Sequence, residues 1–242
     1  VDHTILNVTR ADATALLAAA ESDWNRPVPH CPAWDQAQLV RHTGGIFAWM
    51  AAVVTSTQQV SRRNLEPAPT ATADLPDWYC RNLEQVLHVL SITDPETATW
   101  TFSSRGDLRV AWWVRRLAVE VAIHRWDAQH AAYPSTSPPP IDTDISVAGV
   151  EEFLIEFLPG LLTRSDTVGL IGTLHLHAID SPLEWSIDLE NSGSAIPEHR
   201  KSDTAIRGTR SDLLLWLTNR HPANLDVIGS PDFLTRWVEL KL

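Results

Sequence analysis

The chain is poor in cysteine, in basic charge and in long apolar runs, and each shortage removes a class of protein. Two cysteines, Cys31 and Cys80, cannot build a disulfide framework in 242 residues. Neither lies in a C-x-x-C, so a dithiol redox role has no support, both read as small packing residues, and a reducing cytoplasm is the expected setting. Cys31 does sit in a proline-flanked loop, where it is placed to approach a site. A formal net charge of −11 leaves little basic surface for phosphate backbones and argues against non-specific nucleic-acid binding. No window approaches ~18 uninterrupted apolar residues, so no transmembrane helix is expected. The stretch VDHTILNVTRAD has no basic start leading into an apolar run and does not read as a signal peptide. There is no P-loop, no G-x-G-x-x-G, no G-x-S-x-G, no H-E-x-x-H and no internal repeat.

What is present is an ordinary globular composition with one excess. Hydrophobic residues make up 44% and charged residues 20%, and the length suffices for one large core or two small ones. The excess is tryptophan, with eleven residues. Trp34, Trp49, Trp112, Trp113 and Trp126 fall beside the candidate site elements, where such rings fill the space between helices or wall a pocket.

The first half has helical periodicity. Ala11 to Ala20 is a strong helix former that ends before the proline-rich loop RPVPHCPAW. Asp35 suits the N-cap of a helix running to Thr55, with Leu39, Ile46, Met50 and Val53 on one face. A third helix is expected from Ala73 to Leu90 and a fourth from Trp112 to Ala131, joined by TWTFSSRGDLRV as a short hairpin or a loop over one bundle end. Residues 1–134 therefore read as a four-helix bundle. The Pro/Ser-rich stretch YPSTSPPPID cannot continue a helix and reads as a linker over 133–141. Over 142–242 the period changes. A helix around Val147 to Phe157 precedes strands in VGLIGTLHLHAID, EWSIDLE and DTAIRG. SDLLLWLTNR follows as a helix with Ser211 as N-cap, then LDVIG as a strand, and Ser230-Pro231 opens a last helix. The order suggests a small α+β domain.

The most informative feature is Glu120 and His124, one turn apart on a helix face shared with Trp113 and Leu117. A buried carboxylate is costly unless it is paired or bound to a metal, and donors at i and i+4 are able to converge on one cation. His42, three residues after Leu39 and four before Ile46, edges the apolar face of the second helix. Together the three offer two imidazoles and a carboxylate, a set suited to a zinc-type ion with an open fourth position. Asp127 lies on the same face as His124 and either orients its ring or pairs with Arg115, Arg116 or Arg125. Gly44 and Gly45 inside the second helix call for a close helix crossing or room for a ligand. His175 and His177 share a sheet face but have no obvious third ligand, so they read as a polar face. Arg220 is either a last-turn cation complementing the helix dipole or a binder of an anionic substrate group.

At these residues the chain resembles the mycothiol-dependent maleylpyruvate isomerase family, a branch of the DinB-like metalloenzymes. VPHCPAWDQAQLVRHTGGIFAWM is similar to the family's proline–tryptophan loop and histidine-bearing helix, and WWVRRLAVEVAIHRWDA to its glutamate–histidine–aspartate helix. LHLHAIDSPLEWSIDL and AIRGTRSDLLLWLTNRHPANLDVIG resemble its C-terminal domain, which has a sterol-carrier-protein-like fold. The resemblance implies a DinB-like bundle in which His42, Glu120 and His124 bind zinc, with Asp127 behind them. It also implies that Arg220 is an active-site arginine, and Trp49 and Trp113 are taken with it as substrate contacts. Mycothiol is the implied cosubstrate, with a small electrophile as the second partner, in a monomer or small homo-oligomer. Local departures from the isomerase, HRWDA among them, favour a zinc- and mycothiol-dependent thiol transferase. The alternatives are maleylpyruvate cis–trans isomerisation, thiol exchange in natural-product biosynthesis, and a non-catalytic binding module.

Overall fold

The computed structural model describes residues 3–163, 170–190, 193–196, 201–222, 224–229 and 231–239. They divide into two compact units, 1–145 and 146–242. Among the described residues no helix is long and apolar enough to cross a membrane.

The first unit is built on four long helices, α1 (His3–Ala20), α2 (Gln36–Ser56), α3 (Leu75–Ile92) and α4 (Val110–Ala132). α1 begins well before the alanine-rich stretch that announces it. Leu6, Thr9, Ala13 and Leu16 are all buried at helical spacing, so packing extends the helix through residues of low propensity. α2 starts where Asp35 places it: the Asp35 carboxylate accepts from the Gln38 backbone, and the Gln38 side chain accepts from the Asp35 backbone. α1 packs on α4, and α2 packs on both α3 and α4. Leu16, Leu39, Phe47, Met50, Leu75, Tyr79, Trp113 and Leu117 fill the centre.

The α3–α4 connection is closed at its base by a bridge between Ala98 and Arg109. It is pinned to the end of α2 by the Trp100 N–H, which donates to the Thr57 carbonyl at 3.1 Å. The proline-rich segment after α4 belongs to the first unit. Buried Arg125 donates to the carbonyls of Pro139 at 2.6 Å and Pro140 at 3.1 Å, and pairs with Asp12 at 3.2 Å. The two compact units meet after Ile145.

α5 (Thr143–Glu152) opens on Asp142, whose carboxylate accepts from the Asp144 and Ile145 N–H groups. A π-helical turn at Phe153–Phe157 and α6 (Leu158–Leu162) follow. The sheet comprises β1 (Thr173–Ala178), β2 (Glu184–Asp188), β3 (Ser194–Ile196), β4 (Thr204–Gly208) and β5 (Asp226–Ile228), in the order β3-β2-β1-β4-β5. Among the described residues, only the β1–β4 pair is parallel. Three-residue β3 has no sequence signature and is absent from the pattern reading. Alternation puts Leu174, Leu176, Trp185, Ile187 and Ile206 inside.

α7 (Arg210–Leu217) is capped by Thr209 and not by Ser211: the Thr209 hydroxyl accepts from the Asp212 N–H at 3.1 Å. α8 (Pro231–Val238) places Trp237 against Trp216, stacked at 4.6 Å. The expected cap Ser230, the start of the first predicted strand at Val168 and Gly169, and the last expected helical residue Leu240 lie outside the described residues.

Candidate metal centre

α2 and α4 carry His42, Glu120 and His124 to one point. Register between the helices is fixed near this level by Gln36, whose side chain donates to the Ala128 carbonyl at 2.8 Å. His42 Nε2 lies 2.9 Å from Glu120 Oε1, and His124 Nε2 lies 3.4 Å from the same oxygen. The imidazoles stand edge to face, with centroids 5.1 Å apart. One ligand atom from each residue falls within 4.8 Å of the others. The second oxygen of Glu120, Oε2, is taken by Arg116 from one turn earlier on α4. The other nitrogen of His124, Nδ1, faces Asp127 Oδ2 at 2.9 Å, and Asp127 is fully buried. Asp127 therefore orients the ring, while the arginines weighed as its partners go elsewhere: Arg115 to Asp107, Arg116 to Glu120 and Arg125 to Asp12.

The charges are set by this packing. Burial alone would push the Glu120 carboxyl up, but Arg116 and hydrogen bonds from His124 and His42 outweigh it and hold the group well below the usual carboxylate range. Burial likewise pulls His124 down, yet its bonds to Asp127 and Glu120 prevail and raise it. An ionised carboxylate beside two imidazole nitrogens, one ring already oriented through its far nitrogen, is a donor set that fits a zinc-type cation.

The loop before α2 closes one side of this centre. Hydrogen bonds from Val28 N to Trp34 O and from Trp34 N to Cys31 O fold it tightly. Trp34 then packs against His42, with centroids 4.5 Å apart, and Cys31 Sγ comes to 3.8 Å from Asp127 Oδ2. Gly44 answers to a helix crossing: a Cβ there would collide with the Trp78 ring of α3, whereas one on Gly45 would meet nothing within 4 Å.

The two tryptophans expected at substrate differ in position. Trp113 has no exposed surface and spends its N–H on the Trp100 carbonyl at 2.8 Å, so it packs against Trp49 and does not line a pocket. Trp49 meets the guanidinium of Arg62, 4.5 Å from its ring centroid. Arg62 was not singled out by any sequence pattern. Desolvation lowers its pKa, Glu120 opposes that and Arg116 adds to it, so all three charges act on one another. Its guanidinium makes no hydrogen bond to a described residue. Arg116 did leave a signal, since i and i+4 on a helix are neighbours.

In the second unit Arg220 lies beyond the last turn of α7, not within it. Asn219 takes a left-handed conformation, and the Asn219 and Arg220 N–H groups return to the carbonyls of Trp216 and Leu215. The Arg220 side chain is buried and donates to the Thr218 carbonyl at 2.6 Å, so it still serves the carbonyl end of the helix. His175 and His177 do acquire a third neighbour, Glu184, which the strand pattern did not reveal.

These features define a class: a four-helix bundle with a buried His–Glu–His cluster between two helices, followed by a small mixed-sheet unit. Residues 7–129, slightly more than half of the chain, match the family described as Mycothiol maleylpyruvate isomerase N-terminal domain, and the chain belongs to that family. The solved structure of the mycothiol-dependent maleylpyruvate isomerase is similar in fold over 93% of this chain and 92% of that one, with a TM-score of 0.60 and 11% identity. A histidine-to-alanine mutant of that isomerase matches over the same shares, with a TM-score of 0.60 and 10% identity. No curated protein matches the sequence.

Proposed function

We propose that this protein is a mycothiol-dependent isomerase of a small unsaturated keto acid of the maleylpyruvate type, with zinc held by His42, Glu120 and His124. The observation that carries the reading is the convergence of those three donors at the heart of a bundle of this family. The sequence departures favour thiol transfer, but the solved relatives weigh the other way, since both are the isomerase.

Zinc in such a site keeps a coordinating thiol deprotonated at neutral pH. Around it each side chain has a task. Asp127 holds the Nδ1 proton of His124 and so leaves Nε2 as the donor. Arg116 occupies Oε2 of Glu120 and leaves Oε1 to the centre. Trp34 and Trp49 wall off water, and Arg62 offers a guanidinium to a carboxylate of substrate or thiol. In the reaction, the mycothiol sulfur adds to the electron-poor double bond. The displaced π pair passes to the conjugated carbonyl as an enolate, and rotation follows about the former double bond, now a single carbon–carbon bond. The pair then returns to form the trans double bond as the sulfur leaves as thiolate.

The test is incubation with zinc, mycothiol and maleylpyruvate, followed by product analysis. Turnover to fumarylpyruvate with no retained conjugate is expected. Accumulation of a stable S-conjugate in its place establishes the transferase reading instead. Arg62→Ala should raise KM for the keto acid with zinc content unchanged, and loss of zinc in that variant contradicts its role.

A further inference from the structure

The polar face of the sheet in the second unit holds a cluster that the isomerase reading does not use. His175 and His177 alternate along β1, and so project to one side of the sheet. β2 pairs antiparallel with β1, with Glu184 directly opposite His177 and Ser186 opposite His175. Facing residues of paired strands share a face, so the hairpin sets a carboxylate beside two imidazoles. His177 Nδ1 lies 2.7 Å from Glu184 Oε1, and His175 Nε2 lies 3.3 Å from Glu184 Oε2. The rings are 6.0 Å apart and steeply inclined, and the three ligand atoms fall within 4.8 Å of one another.

We propose that His175, His177 and Glu184 form a second cation site, selective for zinc-type ions, that clamps β1 to β2. Two nitrogen donors and one carboxylate suit zinc and its neighbours among the transition metals, whereas magnesium and calcium call for oxygen donors throughout. The clamp is rigid because β1 lies inside the sheet, bonded to β2 on one side and β4 on the other. Its donors differ in depth: His175 is buried, while the His177 side chain is 32% exposed and that of Glu184 20%, which leaves a side open for an ion to enter with its waters. Arg207 is the β4 neighbour of His177, and it faces Asp226 of β5 across 3.7 Å. That carboxylate offsets the repulsion Arg207 would exert on an incoming cation. The site lies in the second unit and does not depend on the mycothiol chemistry.

The test counts metal. The full chain, stripped by a chelator, is equilibrated with zinc chloride alone, dialysed and analysed for bound zinc. About two ions per chain are expected for the wild type, and about one for His42→Ala/His124→Ala and for His177→Gln/Glu184→Gln. An unchanged count in the second variant overturns the proposal. A wild-type count of one that vanishes in His42→Ala/His124→Ala also overturns it while sparing the first centre, and a count of one that survives there does the reverse. A measurement free of folding effects uses the His42→Ala/His124→Ala protein, in which zinc should shift the ring NMR signals of His175 and His177. No shift there overturns the site. Magnesium in excess should not reverse the shift.

Discussion

The Nδ1 of His124 lies 2.9 Å from a carboxylate oxygen of Asp127, one turn further along the same helix and fully buried. The pair decides which nitrogen of the ring faces Glu120. Asp127→Asn should keep the bundle folded and lower zinc affinity by roughly 10–100-fold, the usual cost of losing a partner of this kind. His124→Ala should abolish retention at this centre. Competition with a chromogenic chelator, read in a His177→Gln/Glu184→Gln background, measures both. Wild-type affinity in Asp127→Asn would show that the contact does not tune the ligand.

Arg116 is the charge that lets Glu120 stay ionised in the interior. Removing one partner of a buried ion pair costs about 3–5 kcal/mol, because the survivor is left uncompensated. Arg116→Met should show a loss of that order in urea unfolding of metal-free protein. Zinc should recover much of it, since the metal supplies the missing positive charge. Equal losses with and without zinc would mean that Arg116 acts through packing alone.

Adjacent glycines of α2 give opposite outcomes. Gly44→Ala drives a methyl into the Trp78 ring and should destabilise by about 1–3 kcal/mol through overpacking. Gly45→Ala meets open space and should stabilise by about 1 kcal/mol from helix propensity. Thermal unfolding of the two variants checks the sign directly.

Cys80 is exposed but slow. Desolvation, then the charges of Glu21, Asp77 and Glu84, push its thiol up. A raised thiol pKa means less thiolate at a given pH, so alkylation of the Cys31→Ser variant should reach half-maximal rate above the free-cysteine value of about 8.5. Added salt should lower that midpoint by screening the carboxylates. A midpoint at or below the free value refutes the effect of this acidic surround.

The centre was legible in the sequence to the extent that helices encode faces. Glu120, His124 and Asp127 recur at helical spacing among buried residues, and His42 edges an equally clear stripe. Arg62 left no trace because it sits in a short 3₁₀ turn, where spacing carries no direction. Glu184 was hidden for a different reason. Its partnership with His177 exists only in the β1–β2 register, which depends on how the intervening turn closes. Trp113 fits the stripe of a pocket residue and of a core residue equally well. Only the loop carrying Trp100 decides between them.

Buried α4 presents Arg116, Glu120, His124 and Asp127 toward one centre, while Arg125 holds Asp12 and two proline carbonyls. Each inserted residue turns everything beyond it by about 100°. A single insertion between Glu120 and His124 would separate the ligands and swing Arg125 away from its anchors at once. Homologous chains should therefore accept changes of residue type along this helix while conserving its length between Arg116 and Asp127 without gaps.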